Sequence, residues 1–193
     1  METHLTLGSL FDGSGGFPLA GVLSGITPVW ASEVEPYPIA VTRSRFPGMR
    51  HLGDVTRVHG GEIEPVDVVI FGSPCQDMSI AGKRAGIQKG ERSKLFFEAI
   101  RIIQEMREAT DGRYPTFAVW ENVPGAFSSN RGEDFRTVLE ELARIAEADA
   151  CIPRPEKGKW PKAGLIAGNG WSIAWRTAVT KMRFGEEHED RAD

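Results

Sequence analysis

The sequence predicts a single α/β domain built on a mostly parallel sheet. Short apolar runs rich in β-branched residues alternate with stretches whose apolar residues recur at helical spacing, which is the pattern of strand–helix units. A length of 193 residues suits one domain with a sizeable core. The composition, 40% hydrophobic and 26% charged, is that of an ordinary globular protein.

The first half of the chain contains strands that each lead into a turn or a helix. The run at 66–71 is almost continuously apolar and β-branched, which is typical of a strand covered on both faces. Pro36 lies where it would form the first turn of a helix, a position that tolerates proline. The predicted elements are, in order, a strand at 5–11, a Gly-rich turn at 12–16, a helix at 17–24, a strand at 29–32, a helix at 36–45 and a strand at 66–71.

The second half continues this alternation and then changes character. Helical spacing predicts a helix over 93–108 and another over 135–145, with a strand at 116–120 between them. The stretch 151–170 is rich in Pro, Lys and Gly and ends in a turn signal, Gly168-Asn169-Gly170, before a strand predicted at 171–175. The residues after Phe184 are charged and lack apolar side chains, which predicts a disordered tail.

Charge is distributed unevenly along the chain. The net charge is −4, and the last eight residues contain five acids and one Arg, so the remainder has no net charge. Two stretches, 81–94 and 154–162, are rich in Lys and Arg. These basic loops are compatible with a polyanionic partner, and solvated surface loops are the alternative.

Several classes of protein are disfavoured by composition. No apolar run approaches the ~18 residues that a membrane span needs, and the N-terminus lacks the pattern of a signal peptide. We therefore expect a cytoplasmic protein that does not associate with membranes. Cys75 and Cys151 are the only cysteines, which predicts free thiols, and the four histidines show no ligand spacing with them, which predicts no metal site.

Four clusters of polar or Gly residues follow predicted strands, where ligands bind in open α/β sheets. The Gly-rich turn Phe11-Asp12-Gly13-Ser14-Gly15-Gly16 is neither a dinucleotide fingerprint, because Pro18 replaces its third Gly, nor a phosphate-binding loop. A plain strand-to-helix turn is its alternative. Glu33 and Glu35 follow the second strand, where an acid commonly accepts hydrogen bonds from ribose hydroxyls, although a solvated carboxylate is equally simple.

The remaining candidates are Asp54, a further acid that belongs with Glu33 and Glu35, and the third and fourth clusters, around Cys75 and Glu121. Asp54 could accept from an adenine amino group or stabilise its own turn. Cys75 follows Pro74 in a loop at a strand end, where a thiol is either exposed to a substrate or buried and inert. Glu121, after the strand at 116–120, is either an acid catalyst or a residue that fixes its loop.

In order, these segments resemble the DNA (cytosine-5) methyltransferase family. Phe11-x-Gly-x-Gly-Gly is similar to its first motif, and Glu33 and Asp54 stand at the acids of the second and third. Pro74-Cys75-Gln76 resembles its catalytic Pro-Cys motif, and Glu121-Asn122-Val123 its Glu-Asn-Val motif. The resemblance covers roughly residues 5 to 145. It implies a Rossmann-like S-adenosylmethionine-dependent methyltransferase fold, mostly parallel, with helices on both faces of the sheet.

The resemblance also implies a mechanism and a set of site residues. The Cys75 thiolate would attack C6 of a cytosine flipped out of double-stranded DNA, Glu121 would hold the base at N3, and C5 would take the methyl group of S-adenosyl-L-methionine, leaving S-adenosyl-L-homocysteine. The basic loop at 81–94 would close on the DNA. The implied cofactor-binding residues are Phe11, Gly13, Ser14, Gly15, Gly16, Glu33, Val34, Asp54, Val55 and Pro74, and the implied substrate-binding residues are Ser79, Lys83, Arg84, Asn122 and Val123.

The sequence departs from the family pattern in three places. Val34 stands where the family often has an aromatic residue, and Asp12 replaces a small residue. Beyond residues 171–177, the arginine-rich segment, the target-recognition domain and the final motif of the family are missing. We therefore expect a C-terminally incomplete catalytic domain at 1–177 followed by a divergent acidic tail at 178–193, in a protein of bacterial or phage type.

Three functional hypotheses follow. The first is the catalytic part of a DNA cytosine-5 methyltransferase. The second is an inactive remnant, or half of a split enzyme that needs a partner chain for DNA recognition. The third, a nucleotide-dependent oxidoreductase, is disfavoured by Pro18 and leaves Pro74-Cys75-Gln76 unexplained.

Overall fold

A five-stranded, fully parallel sheet forms the centre of the protein. The structure, a computed structural model, describes residues 4–73, 91–155 and 158–178, the side chains of 91–93 excepted. The strand order is β3-β2-β1-β4-β5, and every adjacent pair is parallel. The strands are β1 (Thr6–Leu10), β2 (Thr27–Ser32), β3 (Arg50–His51), β4 (Val68–Phe71) and β5 (Phe117–Trp120).

Helices cover both faces of this sheet, which confirms the predicted fold class. The helix after β1 packs against β1 and β2, with its Gly21 against Leu7. The opposite face carries Leu10, Val69 and Phe71, which join the third and fourth helices in one core. The helices are α1 (Gly16–Leu23), α2 (Pro36–Arg45), α3 (Glu91–Ala109) and α4 (Glu133–Arg144), and short 3₁₀ turns occur at Val55–Arg57, Pro124–Phe127 and Ser129–Gly132.

A separate antiparallel hairpin follows the parallel domain. Its strands are β6 (Ala163–Gly168) and β7 (Trp171–Arg176), joined by Asn169 and Gly170 at the predicted turn. Strand β7 confirms the strand predicted at 171–175, but it pairs with β6 and not with the parallel sheet. Trp175 packs edge-on against Phe135 of α4, which attaches the hairpin to the domain.

The outer edge of β5 is open within the described part of the chain. β5 is the last strand in the sheet order, and Phe117 and Val119 are 54% and 42% exposed. A groove separates β5 from β7. It consists of a cavity of about 550 Å³ between Phe117 and Trp171 and another of about 460 Å³ between Val119 and Trp175. Two strand edges therefore run beside one groove without pairing across it.

None of the described helices is both long enough and apolar enough to cross a membrane.

Candidate active site

The predicted site clusters meet at one edge of the sheet. Because all five strands are parallel, their carboxyl ends lie on the same side, and the segments after β1, β2, β4 and β5 are neighbours there. The chain forms β2 and β3 on one side of β1, and it then crosses back and forms β4 and β5 on the other side of β1. This reversal of direction creates the crevice in which α/β domains bind ligands.

The Gly-rich turn after β1 adopts a conformation that its glycines permit. Phe11, Gly13 and Gly15 all have positive φ values, of 57°, 57° and 90°. A Cβ atom on Gly15 would lie 2.8 Å from Cγ2 of Thr42 on α2, so a side chain there is excluded by contact as well as by backbone conformation. The turn thereby brings the first turn of α1 close to α2, with Ser14 exposed at its tip.

Glu33 joins the loop after β2 to this turn. Its Oε2 accepts a hydrogen bond from Gly13 N at 2.8 Å, and its Oε1 accepts from Val34 N and Glu35 N at 2.7 and 3.0 Å. Both oxygens are therefore fixed by backbone amides, so the carboxylate has a set position at the rim of the crevice. Val34 beside it is 59% exposed.

Asp54 stabilises its own turn, the simpler of its two predicted roles. Its Oδ1 accepts from Thr56 N at 2.9 Å and from Thr56 Oγ1 at 2.8 Å, which caps the 3₁₀ turn containing buried Val55. The backbone hydrogen bond and then the hydroxyl bond lower the pKa of Asp54. The Ser32 hydroxyl, at the end of β2, donates to Gly53 O at 2.7 Å and holds this turn beside Glu33.

Asp12 is a buried carboxylate in the same turn. It is 5% exposed, its Oδ1 accepts from the Ser9 hydroxyl at 2.8 Å, and its buried Oδ2 has no hydrogen-bond partner among the described residues. Burial raises its pKa to about 6, the Ser9 hydrogen bond opposes this shift, and the negative charge of Glu33 adds to it. The sequence marked Asp12 only as a departure from a family pattern.

Glu121 lies over the backbone at the end of β4. Its backbone N–H donates to Phe71 O at 2.9 Å. A Cβ atom on Gly72 would lie 3.3 Å from Glu121 Oε2 and 3.2 Å from the Phe17 ring, so Gly72 lets both side chains approach the main chain. The carboxylate predicted to act as an acid thus lies beside Gly72, which precedes Cys75 by three residues in the sequence.

Two side chains at the end of β5 hold the residue that precedes Pro74. Asn122 Nδ2 donates to Ser73 O at 3.0 Å, and Trp120 Nε1 donates to Ser73 Oγ at 3.2 Å. Asn122 Oδ1 also accepts from Val123 N at 2.8 Å, and Val123 itself is 65% exposed. Ser73 directly precedes the predicted Pro74-Cys75 motif, but its hydrogen bonds to Trp120 and Asn122 arise from the pairing of β4 with β5, which the sequence does not show locally. Phe17, on α1, was not predicted as a site residue and lies near Gly72 only in the folded chain.

Part of the predicted site lies outside the described residues. This applies to Pro74, Cys75, Ser79, Lys83 and Arg84 and to most of the basic loop at 81–94. The described part of the chain contains no group of three or more His, Cys, Asp or Glu side chains that could hold a metal ion. The described rim suits a cationic, ribose-bearing cofactor, because it offers a Gly turn, two carboxylates and exposed Val34.

The fold and this edge define a class: an α/β domain whose ligand crevice lies at the switch between β1 and β4. A family model for C-5 cytosine-specific DNA methylase matches residues 5–146, and the chain belongs to that family. The chain is 31% identical over 141 residues to the Type II methyltransferase M.BsuFI of Bacillus subtilis and 31% identical over 133 residues to M.MspI of Moraxella sp. These alignments cover 73% and 69% of this chain and 32% and 30% of the relatives.

One relative with a longer alignment has a name that gives a different activity. The chain is 36% identical over 196 residues to a protein of Escherichia phage P1 named DNA N-6-adenine-methyltransferase, an alignment covering 90% of this chain and 26% of that protein. Across these three relatives, the chain spans between 26% and 32% of their length.

Solved structures support the fold. One is described as a DNA modification methyltransferase encoded within an E. coli prophage, with a TM-score of 0.55 and 24% identity over 72% of this chain and 38% of that one. Another is the Dnmt2 methyltransferase of S. pombe, with a TM-score of 0.51 and 20% identity over 71% of this chain and 40% of that one. At these identities the likeness concerns the fold alone.

Proposed function

We propose that this chain is the catalytic, cofactor-binding part of a DNA methyltransferase that methylates C5 of cytosine through a covalent bond between Cys75 and C6 of the base. The observation that carries the proposal is the hydrogen bonding of Ser73 by Trp120 and Asn122. Because Ser73 directly precedes Pro74-Cys75, the strand that presents Glu121 also anchors the loop of the proposed nucleophile.

The proposed chemistry uses a thiolate and a carboxylic acid. The Cys75 sulfur forms a bond to C6 while Glu121 donates a proton to N3, and the electron pair displaced from the C5–C6 double bond becomes available at C5. S-adenosyl-L-methionine supplies an electrophilic methyl group, and C5 takes it. Loss of the C5 proton to a base then returns the double bond, and the electron pair of the S–C6 bond leaves with Cys75. Elimination regenerates the free enzyme.

The residues around the Gly-rich turn would bind the cofactor. Glu33, held by three backbone amides, is positioned to accept hydrogen bonds from the ribose hydroxyls. Phe11, Val34 and Val55 would contact the adenine, and Asp54 would accept from its amino group. The backbone of 13–16 would face the amino acid portion, and Pro74 would close the site from the opposite loop.

Double-stranded DNA is the proposed substrate, with the target cytosine flipped out of the helix. Asn122 and Val123 directly follow Glu121, and all three line the cavity between Val119 and Trp175, so they are proposed to contact the extruded nucleotide. Ser79, Lys83 and Arg84 are proposed to contact the DNA backbone, since the cations of a basic loop suit phosphate oxygens. A DNA substrate would place the protein in the cytoplasm of a bacterial or phage-infected cell.

A methyl-transfer assay with base analysis tests this proposal. The chain is incubated with labelled S-adenosyl-L-methionine and duplex DNA, and the DNA is digested to nucleosides. We expect label in 5-methylcytosine and none in N6-methyladenine, and we expect transfer to fall below detection in Cys75→Ser and to be retained in the matched variant Cys151→Ser, because Cys151 is an exposed thiol. Label in adenine, or transfer by Cys75→Ser, contradicts the mechanism.

The open edge of β5 favours a second candidate, in which this chain is half of a split enzyme. The groove between β5 and β7 is bordered by exposed Phe117 and Val119 and by two strand edges that have no strand partner among the described residues, and one additional strand would connect these edges. In this proposal residues 1–177 are the catalytic domain, 178–193 are an appended acidic tail, and a partner supplies the DNA-recognition part.

Complementation separates the two candidates from an inactive remnant. The portion of M.BsuFI that lies outside its match to this chain is purified and added to the methyl-transfer assay. Activity only after this addition supports the split enzyme, and activity of the chain alone supports the first candidate. The absence of cofactor binding by the folded chain in calorimetry supports the remnant.

A further inference from the structure

The buried carboxylate of Asp12 is only half satisfied by the described contacts, since one of its two oxygens has a hydrogen-bond partner and the other has none. The residue at the N-cap of α1 is Gly15, and no side chain caps that helix. The Gly13 amide is already bonded by Glu33. One Asp12 oxygen accepts from Ser9, and the other is buried without a partner. A charged group that is costly to bury and has an unsatisfied buried oxygen is a functional candidate.

The charges around Asp12 increase this cost. Glu33, on the loop after β2, is the charged side chain that acts on Asp12, and its sign is the same. Arg43, on the packed helix α2, acts on His51, and none of the described ion pairs reaches Asp12. Two carboxylates thus lie at the Gly-rich turn, and among the described residues no cation forms an ion pair with Asp12, which makes the local potential negative.

We propose that Asp12 is a specificity-determining residue through which the site prefers the sulfonium cation S-adenosyl-L-methionine to its uncharged thioether product, S-adenosyl-L-homocysteine. This inference rests on the proposed function, in which the cofactor binds against residues 13–16. The two compounds differ by a methyl group and one positive charge. A buried anion acts on that charge over several ångströms and needs no direct contact. Removal of the charge by methyl transfer therefore weakens binding and promotes product release.

Protonation of Asp12 removes its negative charge, so the preference has a predictable pH dependence. Burial places the pKa of Asp12 near 6, and the carboxylate is mostly neutral at pH 5 and mostly ionised at pH 7. By linkage, a cation that prefers the ionised form must lower this pKa and release protons when it binds. The uncharged product should release fewer protons.

Titration calorimetry on the full chain measures both effects. For the wild type we expect the ratio of the Kd of S-adenosyl-L-homocysteine to that of S-adenosyl-L-methionine to be roughly tenfold higher at pH 7 than at pH 5, the size of an interaction between unit charges several ångströms apart. Repeating the titrations at pH 6 in two buffers of different ionisation enthalpy gives the number of protons released.

Variants assign the effect to Asp12. Asp12→Asn should show the low ratio at both pH values and release fewer protons, and Asp12→Ser provides a second test with a smaller side chain. Glu108→Gln, which removes an exposed acid on α3, should behave as the wild type does. A pH-independent ratio in the wild type, or the same loss in Glu108→Gln, overturns the inference. Failure of both compounds to bind at either pH contradicts the proposed function as well.

Discussion

At the scale of single residues, the carboxylates at the carboxyl ends of the strands differ in the number of hydrogen bonds that they accept. Glu33 accepts three backbone N–H groups and Asp54 accepts two bonds from Thr56, whereas Asp12 has one hydroxyl partner and one unpaired oxygen. Accepted hydrogen bonds favour an ionised carboxylate, and burial opposes it. The sequence shows three acids after strands but does not show which of them is buried.

This difference predicts a pH-dependent gain of stability in Asp12→Asn. The pKa of Asp12 is raised from 3.8 to about 6 in the folded protein, so the folded state retains a proton that the unfolded state loses, and stability falls as the pH rises through this interval. Asparagine keeps the acceptor for Ser9 without the charge. We expect Asp12→Asn to raise the free energy of unfolding by about 1–3 kcal/mol at pH 7.5, with little effect at pH 4.

Urea denaturation of both proteins at the two pH values measures this. Asp12 is ionised in the folded protein at pH 7.5, and no described cation pairs with it. We therefore expect asparagine to increase the free energy of unfolding at pH 7.5 and not at pH 4. An equal change at both pH values would show that asparagine alters packing and not ionisation.

At the scale of elements, the pairing of β4 with β5 couples the two proposed catalytic groups. Asn122 and Trp120 both donate to Ser73, so the start of the loop that contains Cys75 is fixed by the following strand of the sheet. Ser73 is 2% exposed, and a hydrogen bond lost at such a position leaves its partner unsatisfied. The last described residue before Pro74 is therefore fixed by two side-chain hydrogen bonds.

A substitution of Asn122 should therefore alter the reactivity of the Cys75 thiol. In Asn122→Asp, a carboxylate oxygen would face Ser73 O, and the two acceptors would repel each other. We expect kcat for methyl transfer to fall about tenfold, corresponding to about 1.4 kcal/mol in the barrier, with little change in the Kd of the cofactor.

Alkylation of thiols provides a readout that needs no DNA. The rate at which Cys75 reacts with iodoacetamide should change in Asn122→Asp, while the rate at Cys151, an exposed thiol on another part of the chain, should not. Unchanged alkylation of Cys75 would show that Asn122 acts on the nucleotide and does not position the loop.

At the scale of the whole molecule, the sequence was sufficient for the parallel domain. Strands of four or more β-branched or apolar residues and helices with clear spacing were predicted within a few residues of their observed bounds, and the helix at 36–45 was predicted at its observed limits. Strand β3 was missed because it contains only Arg50 and His51. Strand β6 was missed because its sequence, Ala-Gly-Leu-Ile-Ala-Gly, has little β propensity, and its pairing with β7 determines its conformation.

The candidate site was predictable to the extent that it follows strand ends. Parallel pairing brings such positions together whatever their separation in the chain, so Gly13, Glu33 and Glu121 could be placed at one edge. The hydrogen bonds between these segments depend on side-chain directions that the sequence does not encode locally. Ser73 and Phe17 are ordinary residues in the sequence and become part of the site only through their neighbours in the fold.

The open edge of β5 has a consequence for the behaviour of the protein in concentrated solution. Its backbone N–H and C=O groups on that side have no strand partner among the described residues, and the flanking Phe117 and Val119 are apolar. Such an edge is a template for any extended chain, including the same edge of another copy. Natural sheets block such edges with Lys, Pro or a bulge, and Phe117–Trp120 contains none of these. Unless another segment covers this edge, we therefore expect concentrated protein to self-associate through it.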